Sequence, residues 1–576
     1  MLLFRIVTLA TLVTLFTLAT LNPRENMKNI ITSLLLCFCL NAAAQHELAD
    51  PYPGDQSQWN TVKTTSVAWG TIDKRYSRSL PATSATKKLQ LSAWRGERIN
   101  AQAFVTAPKK INRVDISVSD LKAGRNTISA NNIRTFMATY VMADNISRSD
   151  SALVADRLLP CNTFSVDGKT TRPVWFEIKI PADTKAGRYN GQVTITCDGK
   201  KTVLPYTVSV SEQLLPEPKD WKFHLDLWQN PYAVARYFNV PLWSKEHFER
   251  MRPIMKTLAD AGQKVITCSI IEHPWNSQTF DPFESMIGKM KTIGGEWKYN
   301  YEVFDRWVEF MMSLGIDKQI DCYTLVPWHY RFDYYDMASN SVKYVACHPG
   351  DKEYEDFILP FLRDFAAHLK QKGWFSRTCI AMDERPTDQL RAAYDIVKRA
   401  DPGYRLEGAF NYFPEVIDEI HDISVGISYM QINYDIVKRR HAEGKPVTFY
   451  TCCSPERPNT FTFSPPAESA YIGWHAAAID YDGYLRWAYN SWVENPCTDS
   501  RFRTWASGDC FLVYPDATSI RMQRLVEGIQ AYEKVRILRQ QGINVDEILK
   551  PFLPWDPGKD TDTGALIRNA AQQLQR

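Results

Sequence analysis

From residue 61 to about 212, apolar and polar positions alternate with a period of two. The stretches "RINAQAFVTA", "RVDISVSDL", "PVWFEIKIP" and "GRYNGQVTITCDGKKTVLPYTVSVS" each place one face toward a core, and "CDGKK" supplies a hairpin turn. No stretch in this span carries convincing helical spacing. The pattern predicts an all-β sandwich over 61–212, entered through a polar leader at 45–60 and left through the proline-marked "EQLLPEPKDW".

After Trp221 the periodicity changes. Short apolar runs now alternate with stretches of 3.6-residue spacing, the signature of βα units. Eight runs read as strands: "FHLDLW", "KVITCSII", "KQIDCYTLV", "RTCIAMD", "YRLEGAF", "ISVGISY", "PVTFYTCC" and "GYLRWAYN". Helices are expected at "KEHFERMRPIMKTLADAG", "YEVFDRWVEFMMSLG", "YEDFILPFLRDFAAHLKQKG" and "DQLRAAYDIVKRADPG". Eight such units predict a (β/α)8 TIM-type barrel over 221–576. "SIRMQRLVEGIQAYEKVRILRQQG" would close it, followed by a further C-terminal helical extension.

The N-terminus holds two apolar stretches. The second begins at Met27, with Lys28 as a short basic region, an apolar centre and small residues at Ala42 and Ala44. That is the layout of a signal peptide cleaved after Ala44, with residues 1–26 an upstream extension. Export to the periplasm or the exterior follows. The other reading of the first stretch is a membrane anchor. Beyond residue 45 no apolar run is long enough to cross a bilayer. Of the 12 cysteines, ten lie beyond this segment, scattered and without the spacing of a zinc site, so no metal and no cofactor is expected.

A net charge of +3 gives no reason to expect nucleic acid as a partner. No glycine-rich phosphate loop is present. The 17 tryptophans and 27 tyrosines matter more, because many of them stand near predicted strand ends. In a (β/α)8 barrel the reactive groups gather there. Strand one ends in Trp228 and Gln229, and strand two leads to His273, Trp275 and Asn276. Strand three leads to Trp328 and Tyr330, with His329 and Arg331 farther out. Strand five offers Asn411, strand six Tyr429 and Gln431, and strand seven Tyr450. Strand eight offers Trp487, Asn490 and Trp492. Aromatic walls with amides and carboxylates between them describe a sugar pocket, so a glycan is the expected partner.

Strand four delivers Asp383 and Glu384 side by side. Other Asp-Glu pairs, at 418–419 and 546–547, sit in surface-like contexts. At a buried strand end, mutual repulsion and lost hydration push such carboxylates toward protonation, which suits a general acid. Most glycosidases place two carboxylates about 5 Å or more apart, usually on different strands. Strand seven has none before Glu456. Neighbouring side chains on a strand point in different directions. The pair therefore fits substrate assistance, in which the sugar's own 2-acetamido oxygen attacks C1. Asp383 would steady the acetamido group, and Glu384 would serve as acid and then base. A two-carboxylate glycosidase using Glu456 or Glu272 stays open, as does a non-catalytic glycan-binding protein.

The stretches "LDLWQNP", "HPWN", the Asp383-Glu384 pair, "YTCC", "DGYLRWAYNSW" and "SIRMQRLVEGIQAYE" together resemble glycoside hydrolase family 123. The resemblance spans about 60 to 576, both domains included. It implies an exo-β-N-acetylgalactosaminidase acting through an oxazolinium intermediate, with the Asp-Glu pair as stabiliser and acid/base. "DERP" and "ENPC" depart from the family's motifs, which leaves a β-N-acetylglucosaminidase as the alternative.

Overall fold

The computed structural model describes residues 47–82, 86–412, 415–428, 433–558 and 560–575. The expected signal segment lies outside these residues, as do Tyr429 and Gln431. Among the described residues no helix is long and apolar enough to cross a membrane.

The N-terminal domain is β-rich and built from two sheets. One runs in the order Ser66–Gly70, Arg98–Ala107, Thr170–Lys179, Ile133–Asp144, Ser151–Pro160. The other runs Leu89–Arg95, Lys200–Leu214, Gly187–Cys197, Ile111–Val118, Thr163–Val166. The alternation read from the sequence supplies the core between them. Ala101, Ala103 and Val105 with Val174, Phe176 and Ile178 meet Val193, Ile195, Leu204 and Val208. Trp69 stands among them, edge-on to Phe176 at 5.6 Å and to Tyr206 at 5.7 Å.

The second domain contains the eight parallel strands that the apolar runs predict. In chain order they are His224–Leu227, Val265–Ser269, Gln319–Tyr323, Thr378–Met382, Arg405–Phe410, Asp422–Gly426, Val447–Tyr450 and Gly483–Arg486. Each pairs in parallel with the next from the second onward, and the eighth pairs with the first. The second, third, fourth, sixth, seventh and eighth are buried along their whole length. That is why they read as continuous apolar runs and not as alternation. The barrel is nearly closed. Between strands one and two the only backbone link is a bridge from Leu225 to Gln263. Side-chain amides stitch this seam instead. Gln229 accepts from Thr267 N at 2.9 Å and donates to Val265 O at 3.3 Å, while Gln263 accepts from Leu227 N at 3.0 Å.

The helices fall where the 3.6-residue spacing puts them, at Lys245–Ala259, Glu302–Ser313, Lys352–Lys372 and Thr387–Ala400. Their ends follow local chemistry. Ser244 caps the first through His247 N, and Gly373 ends the third in the left-handed region at φ 71°. A four-stranded sheet stands beside the barrel rim (Trp297–Asn300, Gly288–Lys291, Arg331–Asp336, Ser341–Ala346), built from the segments after strands two and three. The sequence reading did not separate it from the loops.

The two domains share structure. Thr518–Ser519, far along the chain, pairs antiparallel with Arg157–Leu158 and becomes the sixth strand of the first sheet. Immediately after it, helix Ile520–Gln540 begins, with Ser519 as its cap. Its Arg521 lies fully buried against Asp156 of the β-rich domain at 2.9 Å, and Tyr514 donates to the same carboxylate at 2.6 Å. Farther on, Trp94 Nε1 donates to Leu574 O at 2.9 Å, tying the last helix (Thr563–Gln573) to the same domain.

Candidate active site

A cavity of about 190 Å³ opens at the C-terminal ends of the barrel strands, where such folds carry their chemistry. It brings Trp228, Trp275, Trp328, Asp383, Glu384, Tyr450 and Trp487 together from six different strand ends. Asp383 and Glu384 follow the fourth strand directly and have opposite surroundings. Asp383 is buried, and its Oδ2 accepts from Trp328 Nε1 at 2.9 Å. Its Oδ1 is buried without a partner. Burial pushes the Asp383 carboxyl up to about 6, with the Trp328 bond and the Arg385 guanidinium pulling the other way. Arg385 lies over the Trp328 ring at 4.6 Å and bonds Tyr330, which itself donates to Gln389 at 2.9 Å.

Glu384 is exposed to the cavity and accepts from the hydroxyl of Tyr450. That hydroxyl also lies 3.3 Å from Asn411 Oδ1. Gly426 on the sixth strand leaves Tyr450 its room, since a Cβ there would come within 3.1 Å of the hydroxyl.

Trp228 and Trp275 form the floor, stacked at 4.9 Å and backed by Tyr323 at 4.5 and 5.1 Å. Beneath them lie three buried carboxylates from alternate strands, Asp226, Asp321 and Glu407, with oxygens within 4.8 Å of one another. One cation could bridge that spacing. The protein bonds these carboxylates make hold the floor. Asp226 accepts from Trp228 Nε1 at 3.2 Å, and Glu407 accepts from the Tyr323 hydroxyl at 2.9 Å. Burial raises all three, Asp226 to about 7, and their mutual repulsion adds to the rise for Asp321 and Glu407.

Several residues expected at strand ends lie elsewhere. Gln229 is buried in the barrel seam described above. Asn490 is fully buried, exchanging bonds with the backbone of Asn230 at 2.8 and 2.9 Å. Trp492 is fully buried and donates to Val513 O at 2.7 Å. His273 and Asn276 adopt positive φ in the turn after strand two, outside the cavity lining. Tyr330 and Asn411 stand behind the lining and contact it through Arg385 and Tyr450.

The cavity also contains Cys452 and Cys453 from the end of strand seven, together with residues that reading strand ends did not reach: Gln278, Trp505 and Asp509. Asp509 lies 23 residues beyond Arg486, the last residue of strand eight. Its Oδ1 accepts from Arg486 at 2.9 Å and from Trp487 Nε1 at 3.1 Å, and its Oδ2 is buried without a partner. Burial raises this carboxyl, partly offset by Arg486. Trp505 stands edge-on to Trp487 at 6.0 Å and donates to Gln278 O at 3.1 Å. The Gly-Asp run in "SGDC" was the available signal, but nothing local to it says that the chain returns to the barrel mouth.

Adjacent carboxylates and tryptophan rings thus line one cavity at the mouth of the barrel, a setting suited to a sugar ring. Residues 228–538 match the family described as glycoside hydrolase 123, catalytic domain, and residues 69–197 match the glycoside hydrolase 123 N-terminal domain. The chain belongs to glycoside hydrolase family 123 and is a glycosidase. Among solved structures it resembles a family 123 glycoside hydrolase from Clostridium perfringens, described for glycolipid glycan hydrolysis. The two share 27% identity at a TM-score of 0.82, over 89% of this chain and 97% of that one. A GH10 xylanase with a bacterial Ig-like domain from termite gut follows at 12% identity and TM-score 0.32, over 78% of this chain and 100% of that one. The β-glucuronidase of Parabacteroides merdae shows 10% identity and TM-score 0.30, over 81% and 52% respectively. These last two scores are too low to bear on function. No curated protein matches the chain.

Proposed function

We propose that this glycosidase releases terminal β-linked N-acetylgalactosamine from glycans with retention of configuration, using the substrate's acetamido group as nucleophile. One observation carries the reading: adjacent carboxylates with opposite surroundings. Asp383 is buried and fixed through one oxygen, and its other oxygen is left without a partner. That is what an acetamido N–H requires. Asp383 orients the acetamido oxygen toward C1 and stabilises the positive charge of the oxazolinium ring. Glu384, open to the cavity, protonates the departing glycosidic oxygen and then takes a proton from the incoming water. With Glu384 protonated, the Tyr450 hydroxyl is released from it and can donate to the acetamido oxygen.

The tryptophan walls pack on the sugar's C–H faces. The unpartnered Oδ2 of Asp509 accepts from a ring hydroxyl away from the reacting carbon. Neither Glu456, exposed and outside the lining, nor Glu272, beside His273, offers a second catalytic carboxylate. Export belongs to this reading through the basic, apolar and small-residue layout of residues 27–44 alone.

The test pairs nitrophenyl β-N-acetylgalactosaminide with the gluco epimer, using wild type, Asp383→Asn and Glu384→Gln. Turnover of the galacto substrate that collapses in both variants, together with inhibition by a thiazoline analogue of the cyclic intermediate, is expected. Turnover of a substrate lacking the acetamido group at a similar rate would overturn substrate assistance. Preferential turnover of the gluco epimer would overturn the choice of sugar.

A further inference from the structure

Two of the cavity's lining residues are adjacent cysteines. Cys452 and Cys453 follow the seventh strand, immediately after Tyr450 and Thr451. Their sulfurs are 3.7 Å apart, and both line the cavity with Glu384 and Asp509. Cys453 is exposed and Cys452 half-buried, in contrast to Cys268, Cys322, Cys379 and Cys510, which are enclosed in the core.

The backbone around the pair is held on both sides. Asn459 Nδ2 donates to Cys452 O at 3.2 Å and to Pro455 O at 2.6 Å. Thr451 is fixed by Arg486 at 2.9 Å and by the Tyr484 hydroxyl at 2.6 Å. Cys452 N–H donates to Ser454 O at 3.2 Å, folding the chain back on itself. The backbone that carries the two cysteines is therefore held by a buried polar frame, with the sulfurs 3.7 Å apart. The contact between the two sulfurs holds the Cys453 thiol below its usual range and Cys452 above it. One sulfur is thus prepared as the attacking thiolate.

We propose that Cys452 and Cys453 close into a disulfide between neighbouring residues, which forms a proton-free sulfur wall of the sugar cavity and makes substrate binding sensitive to thiols. The oxidant is a small-molecule disulfide. The Cys453 thiolate attacks it, forming a mixed disulfide and expelling one thiolate. Cys452 then gives up its proton and attacks the Cys453 sulfur, expelling the second. Two protein S–H bonds are replaced by one S–S bond, and the oxidant leaves as two thiols. Adjacent Cα atoms are only about 3.8 Å apart, less than the usual ~4.4–6.8 Å across a disulfide, so the ring is strained. Strain makes the bond easier to reduce, which suits a reversible element better than a permanent staple. Open, the pair presents a polar, hydrogen-bonded thiol pair to the sugar. Closed, it presents sulfur without donors, matched to a C–H face.

The full chain would be equilibrated with glutathione and glutathione disulfide over a range of ratios, trapped with iodoacetamide and mapped by mass spectrometry. At oxidising ratios the peptide carrying Thr451–Ser454 should be unlabelled and about 2 Da lighter, and at reducing ratios doubly labelled. Labelling of both cysteines, or stable glutathione adducts on them, at the most oxidising ratio would overturn the proposal. This part needs no substrate and stands apart from the choice of sugar. On the hexosaminide substrate, reduction should raise KM about 3- to 10-fold with little change in kcat, the scale of one modest packing contact. The double variant Cys452→Ser, Cys453→Ser should behave as the reduced enzyme and ignore the redox ratio. A KM that does not change between closed and open forms would overturn the role in binding.

Discussion

The indole N–H of Trp328, from the end of strand three, donates to Asp383 Oδ2 at 2.9 Å at the end of strand four. This bond orients the buried carboxylate and leaves its other oxygen without a partner. It also favours the ionised form, against a burial that holds Asp383 at about 6. The proposed role needs Asp383 ionised, so kcat/KM should fall as pH drops through about 6. Trp328→Phe removes a bond that stabilises the carboxylate. The acid limb should then move to higher pH, by about one unit, in a pH profile of kcat/KM. An unmoved limb would mean that another group sets it.

Asp509→Asn keeps the shape of the side chain but removes its charge. Losing a charge-assisted bond to a sugar hydroxyl should lower kcat/KM by about 10- to 100-fold. Arg486, fully buried, loses its counter-charge in the same variant. Urea denaturation therefore has to accompany the kinetics. A folded variant with normal kcat/KM would place the sugar's hydroxyl contacts elsewhere.

The carboxylates under the floor give the protein a pH-dependent stability. Asp226 stands at about 7 in the folded chain and near ~3.9 when unfolded. Between those values the folded chain retains a proton that the unfolded chain has released. Stability contributed by this group is therefore greatest below about pH 4 and declines as pH rises toward about 7. Asp226→Asn removes that dependence and can still accept from Trp228. Its melting temperature should gain on wild type more at pH 8 than at pH 5, read by thermal denaturation in the two buffers.

Asp156 and Arg521 form an ion pair in which both side chains are fully buried. Asp156→Ala leaves Arg521 buried without its counter-charge, at a cost of about 3–5 kcal/mol. The pair joins the β-rich domain to the helix that closes the barrel. Calorimetry should show both domains destabilised together, whereas loss confined to one transition would mean that they unfold independently.

The hydrophobic pattern alone determined much of this protein. Period-two alternation marked the strands of the β-rich domain, and fully apolar runs such as "TCIAM" marked barrel strands buried on both faces. Both signals are local, because burial of an element's faces is written into its own residues. Asp383 and Glu384 were legible for the same reason, since they follow a buried strand directly. Which rim residues face the cavity was decided only by the tertiary structure. Gln229 went to the seam between strands one and two, where backbone pairing is lacking, and Asn490 and Trp492 went to the core. Asp509 and Trp505 came back to the cavity from the long segment after strand eight. Such placements depend on how the barrel closes and where its loops return, and those contacts join residues far apart in the chain, which no local pattern records.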